Sequence, residues 1–130
     1  MQKLSSNMED YLESMYHIEM TQGIIRVKDV AEHLDVAPPS VTEVVHKLEK
    51  LGFVVHETYG HIKLTEKGRK IGREVNGRHK ILTQFLTDIL KIDHQTAEKD
   101  ACQMEHVLST YTLERLIKFI EFMKSNAKLS

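Results

Sequence analysis

The sequence predicts a mainly α-helical fold in which one small two-stranded hairpin interrupts a series of helices. Three observations predict it. Apolar residues recur at helical spacing along most of the chain, beginning with Met8, Tyr11, Leu12, Met15, Tyr16 and Ile18. One stretch alone, Phe53 to Leu64, places strand-forming runs on both sides of a turn at Tyr59-Gly60. The composition is globular: 130 residues, 41% hydrophobic and 28% charged, with 6 glycines and 2 prolines.

The elements follow in order. A first helix spans Met8 to Met20 and stops at Gly23. Ile24 to Val27 is rich in β-branched residues and reads as extended. Lys28 to Leu34 forms a short helix with Val30, Ala31 and Leu34 inward, and Asp35-Val36-Ala37 breaks it. Pro38 and Pro39 suit the opening of the next helix, where a missing N–H is tolerated. That helix runs from about Pro39 to Leu51 with Val41, Val44, Val45 and Leu48 inward, and Gly52 follows it. Phe53 to Glu57 and His61 to Leu64 are the hairpin strands. Thr65 and Glu66 open a long helix that continues through Ile71, Val75, His79, Leu82, Phe85 and Leu86 to Ile89. Shorter helices follow around Gln95–Leu108 and Thr112–Lys124. Two short helices joined by a tight turn and followed by a hairpin predict an N-terminal winged helix-turn-helix with a small two-stranded wing. The expected domains are therefore residues 1–74 and an all-helical domain, 75–130.

Several function classes fall away on composition. A single cysteine, Cys102, gives no disulfide scaffold and suits a reducing compartment. No apolar run approaches the roughly 20 residues that span a bilayer, and no apolar signal core follows Met1-Gln2-Lys3. The expectation is a soluble cytoplasmic protein. Lys plus Arg number 18 against 19 acids, a net charge of −1, so there is no general attraction for nucleic acid. The average conceals a local excess: between His46 and Arg73 seven basic residues face three acids, and a locally basic surface can meet phosphate.

The helix from Pro39 fits a DNA major groove in size, and the side chains near its start would reach base edges. Its buried set leaves Ser40, Thr42, Glu43, His46 and Lys47 pointing outward. Hydroxyls contact bases or phosphates, Glu43 can accept from a cytosine amino group, and Lys47 would hold phosphate. Arg26 before the second helix, and Tyr59, His61 and Lys63 on the hairpin, would meet the adjoining backbone. The same pattern fits a tri-helical unit whose polar face contacts protein, and the residues leave both readings open.

Cys102, Glu105 and His106 stand at i, i+3 and i+4, so they share one helix face. Thiolate, carboxylate and imidazole are all transition-metal ligands. Asp10 and Glu13 repeat the i, i+3 spacing on the first helix, and His79 lies within the long one. Each has an ordinary alternative: a small core cysteine, a surface pair, or first-turn acids favoured by the helix dipole. An enzyme using Cys102 as nucleophile finds no glycine-rich loop or oxyanion-hole pattern in support, so no catalytic residue is expected.

Five runs in order along almost the whole chain resemble the diphtheria toxin repressor family, which comprises iron- and manganese-dependent transcription regulators. They are Met8-Glu9-Asp10-Tyr11-Leu12-Glu13, Ala37-Pro38-Pro39-Ser40-Val41-Thr42, Leu64-Thr65-Glu66-Lys67-Gly68, Gly77-Arg78-His79, and Cys102-Gln103-Met104-Glu105-His106-Val107-Leu108-Ser109. The resemblance implies that the helical domain mediates dimerisation and that metal, acting as co-repressor, binds between the domains. It implies a homodimer that reads palindromic double-stranded operator DNA, with no small-molecule substrate. Carried over by position, the metal ligands are Asp10, Glu13, His79, Cys102, Glu105 and His106. The chain resembles the short two-domain branch without a C-terminal Src-homology-like barrel. Asp10 resembles the manganese members, where iron-responsive ones have methionine; Cys102 resembles the iron members, where manganese ones have glutamate. Thr83 and Glu98 replace the Glu and His of the iron branch's ancillary site. The acidic pair Asp10 and Glu13 favours Mn2+, with Fe2+ and Zn2+ open. The alternative expectation is a winged-helix regulator that does not depend on metal.

Overall fold

The computed structural model describes residues 4–58 and 60–129. The chain divides into two units after Asn76, within a helix.

The first unit begins with α1, Ser6–Gln22, capped by the Ser5 hydroxyl, which accepts from the Met8 N–H. The helix starts two residues before the sequence expectation because this cap lies outside the apolar period. Strand β1, Ile25–Arg26, leads into α2, Val27–Leu34. Asp35 ends α2 in the left-handed conformation, with φ 55°, which Asp tolerates better than most residues. Helix α3, Pro38–Lys50, carries its prolines at the first two positions, and Val41, Val45 and Leu48 are buried.

Strands β2, Val54–His56, and β3, His61–Leu64, form the expected hairpin, with Gly60 in the turn at φ 87°. The sheet has three strands, however, in the order β1-β3-β2. Ile25 pairs with Ile62 and Arg26 with His61. Periodicity marks Ile24 to Val27 as extended but cannot name its partner; burial of Ile25 beside Ile62 supplies the reason for the pairing.

Helix α4, Glu66–Gln84, opens on Thr65, whose hydroxyl accepts the Gly68 N–H at 3.1 Å. Two glycines set its close packing. A Cβ on Gly68 would lie 2.0 Å from the Phe53 carbonyl oxygen, and one on Gly72 would lie 2.7 Å from that of Leu12. The core of this unit joins Leu12, Met15, Val30, Val41, Val45, Leu48, Val54 and Ile62, all fully buried.

The second unit takes over within α4. The expected helix through Ile89 is α-helical only to Gln84, and Phe85–Ile89 forms a wider π turn. The Thr83 and Thr87 hydroxyls donate to the carbonyls of His79 and Thr83, a competition that loosens a helical ladder. Helix α5, His94–Val107, is capped by Asp93, whose carboxylate accepts from the Thr96 N–H and is held below its ordinary pKa by that bond. Helix α6, Thr110–Leu129, is longer at both ends than Thr112–Lys124. Leu82, Leu86, Ala97, Ala101, Leu113 and Ile120 form the core here. Among the described residues, no helix is long and apolar enough to cross a membrane.

Candidate metal centre and nucleic-acid interface

The six candidate donors fall on three helices. Asp10 and Glu13 lie on α1, both half-buried and one helical turn apart on a common face. The turn between them is anchored by Tyr11 and Leu12, which point into the core. The other four belong to the second unit. Cys102 and His106 are half-buried on α5, and Glu105 between them is buried. His79 reaches Glu105 from α4, its Nδ1 3.1 Å from Oε1.

That pair has a specific chemistry. The Glu105 side chain is 2% exposed and that of His79 18%. With the proton on Nδ1, the imidazole donates to the carboxylate, and Nε2 keeps the lone pair that a metal takes. Glu105 Oε2 is buried and has no hydrogen-bond partner among the described residues. A buried acceptor left unpaired costs about 1–3 kcal/mol, and a charged one more. A cation at this oxygen removes the penalty. Carboxylate, imidazole and thiolate donors on one helix face therefore fit a divalent transition metal.

The candidate DNA contacts are arrayed on the first unit. Ser40, Glu43, His46 and Lys47 are exposed along α3, with Pro39 in its first turn. Thr42 is half-buried, and its hydroxyl donates to the Pro38 carbonyl at 3.3 Å, which leaves oxygen lone pairs to accept. Glu43 and Lys47 lie 3.8 Å apart across one turn, a solvent-exposed pair that gives way at little cost. Lys63 on β3 bridges to Glu57 at 3.0 Å across the hairpin. Arg26 is exposed at the start of α2. Tyr59 lies outside the described residues.

Pattern reasoning missed the bonds that hold these surfaces in place. Glu49, in the last turn of α3, accepts the backbone N–H of His56 on β2 at 3.0 Å and ties the third helix to the wing. Lys67 donates to the Leu51 carbonyl at 3.1 Å and lies 4.6 Å above the Phe53 ring. Arg69 binds Glu19 through two nitrogens, at 2.8 and 3.1 Å. Each was visible only as one more charge on a helix; the partners lie on other elements, beyond the reach of helical spacing.

Two family models match the chain. One, described as the N-terminal DNA-binding domain of iron-dependent repressors, matches residues 3–62. The other, their metal-binding and dimerisation domain, matches residues 65–128. The HTH-type transcriptional regulator MntR of Lysinibacillus sphaericus (strain C3-41) is 38% identical over 120 residues, 92% of this chain and 86% of that protein. Among solved structures, the metal-dependent transcriptional regulator MtsR aligns with a TM-score of 0.79 at 29% identity, over 92% of this chain and 55% of that one. A manganese-dependent transcriptional repressor in complex with manganese aligns with a TM-score of 0.77 at 26% identity, over 88% of this chain and 53% of that one. The chain spans about half the length of these two structures.

Proposed function

The chain belongs to the iron-dependent repressor family, and on that premise we propose that it is a cytoplasmic, metal-dependent transcriptional repressor controlling metal-ion homeostasis. The observation that carries the metal reading is the buried Glu105 carboxylate, joined to His79 at one oxygen and unpartnered at the other among the described residues.

Asp10, Glu13, His79, Cys102, Glu105 and His106 would hold the metal. The three carboxylates in that set, Asp10, Glu13 and Glu105, favour Mn2+, while Cys102 keeps Fe2+ and Zn2+ in contention. When bound, a divalent ion supplies the positive charge that lets several acids occupy one place. Without it, carboxylates brought to one place would repel one another. Donors on α1 and donors on α4 and α5 can serve one ion only in a restricted set of chain arrangements. The free energy of ligation therefore selects those arrangements from a wider ensemble, and only that difference shifts the population.

The partner is double-stranded DNA, read by a homodimer. In a dimer the two copies of α3 would address half-sites about one helical turn apart, or a multiple of it, in a palindromic operator. Ser40, Thr42 and Glu43 would reach base edges, and Lys47 and Lys63 would meet phosphate. The dimer surface would lie on the second unit, where Val107, Tyr111, Phe119 and Phe122 are 53–77% exposed. Tyr111, Phe119 and Phe122 recur at a spacing that sets them along one side of α6, and the dimerisation domain of the family model covers all four positions.

The test is fluorescence anisotropy on a duplex recovered by in vitro selection with the protein in manganese. Binding that strengthens at least tenfold with manganese, and no longer does so in Glu105→Gln, supports the repressor reading. Equal affinity with and without manganese, iron or zinc would contradict it. A winged-helix regulator that ignores metal would then replace it.

A further inference from the structure

We propose that Arg69 is a positioning residue that transmits the metal-selected placement of α1 to the DNA-contacting wing. The inference rests on the metal-dependent reading above.

One guanidinium reaches three elements of the first unit. Its Nε and Nη2 donate to the two carboxylate oxygens of Glu19, in the last turn of α1, at 2.8 and 3.1 Å. Its Nη1 donates to Glu66 at 2.9 Å, in the first turn of its own helix. Nη2 also reaches the Leu64 carbonyl at 3.3 Å, the last residue of β3. Glu19 holds the Arg69 guanidinium in its charged form even more firmly than usual, chiefly by the side-chain hydrogen bond.

The geometry distinguishes this contact from a solvated ion pair. Both Arg69 and Glu19 side chains are less than a third exposed, at 29% and 23%, and the pairing is bidentate, which fixes direction as well as distance. Helix α1 carries Asp10 and Glu13; β3 carries Lys63, the wing's candidate phosphate contact, one residue before Leu64. The wing is fastened to α3 by the Glu49 to His56 bond. Arg69 therefore ties the donor helix to the wing root, and a shift of α1 is passed to the wing as a rigid-body movement instead of being absorbed at the β3–α4 junction. Lysine at this position keeps the charge but loses the fork.

The experiment compares wild type, Arg69→Gln, Glu19→Gln, the double variant and Arg69→Lys. Manganese affinity is read by calorimetry, DNA affinity by anisotropy on the selected duplex with and without manganese, and folding by thermal melting. Arg69→Gln is expected to keep manganese affinity within about twofold of wild type and to lose about tenfold of the manganese-stimulated DNA affinity, with metal-free binding unchanged. The double variant should be no worse than either single, and Arg69→Lys should fall between wild type and Arg69→Gln. Wild-type DNA affinity in Arg69→Gln with manganese would overturn the proposal. So would equal losses with and without manganese that track a lower melting temperature, since those describe a stabilising contact only. A wild-type protein whose DNA binding ignores manganese brings down the metal reading itself, before any variant is compared.

Discussion

The two units differ in how completely each satisfies its own side chains. Among the described residues, the first buries fourteen apolar side chains in one cluster, and the second buries six. In the first, charged groups are used as fasteners: Glu49, Lys67 and Arg69 each reach across elements to a defined partner. In the second, Tyr111, Phe119 and Phe122 stay exposed on α6, and the buried Glu105 keeps one oxygen unpartnered among the described residues. The lesson is a division of labour. The first unit ties its charged groups to partners within itself, whereas the second keeps large aromatic side chains exposed and a buried carboxylate oxygen unpartnered among the described residues.

The largest effect should come from breaking the first unit's close packing. Gly68→Ala places a methyl group 2.0 Å from the Phe53 carbonyl oxygen, and backbone cannot yield as a flexible side chain does. A loss of about 3 kcal/mol is expected, read by urea denaturation. A cost below about 0.5 kcal/mol would show that α4 is not held as tightly as the comparison requires.

Next in size is the apolar face of the second unit. Phe119→Ser with Phe122→Ser should leave helix content unchanged and weaken dimerisation by about 2 kcal/mol or more, near thirtyfold in Kd, measured by sedimentation equilibrium. An unchanged dimer would move the interface elsewhere and remove half of the contrast between the units.

Much of this was legible beforehand. The helical period located all six helices, and the residues around Tyr59-Gly60 located the hairpin, because both signals are local. Asp10, Glu13, Cys102, Glu105 and His106 stood out for the same reason: their spacing places each set on one face. What spacing could not supply was partnership. That His79 meets Glu105, that Ile25 joins the wing as a third strand, and that Arg69 reaches Glu19 all depend on contacts between residues far apart in sequence. The π turn at Phe85–Ile89 escaped as well, because its threonine back-bonds leave the apolar period intact.

A smaller effect concerns pH and the first unit. The rings of His17 and His33 stack with centroids 5.2 Å apart, and Ser14 Oγ lies 2.7 Å from His33 Nδ1. Burial, and then the neighbouring His17, lower the His33 pKa below its ordinary 6.5. The folded state therefore binds fewer protons than the unfolded one just below pH 6.5, so stability is intact above that pH and declines as pH falls through the window beneath it. His33 is exposed in part, so the decline should be slight. Melting curves between about pH 5 and 7.5 should show a shallower slope in His17→Asn than in wild type. An identical slope in the two proteins would exclude coupling between the rings.

The most direct measurement is an anaerobic calorimetric titration of reduced, metal-stripped protein with manganese, iron and zinc, alongside Glu105→Gln and Asp10→Ala. Saturable binding of about one or two ions per chain, weakened at least tenfold in both variants, is the expected result. No saturable binding by any of the three metals, or binding indifferent to both substitutions, would contradict the assignment of these donors and with it the metal-dependent account of DNA recognition.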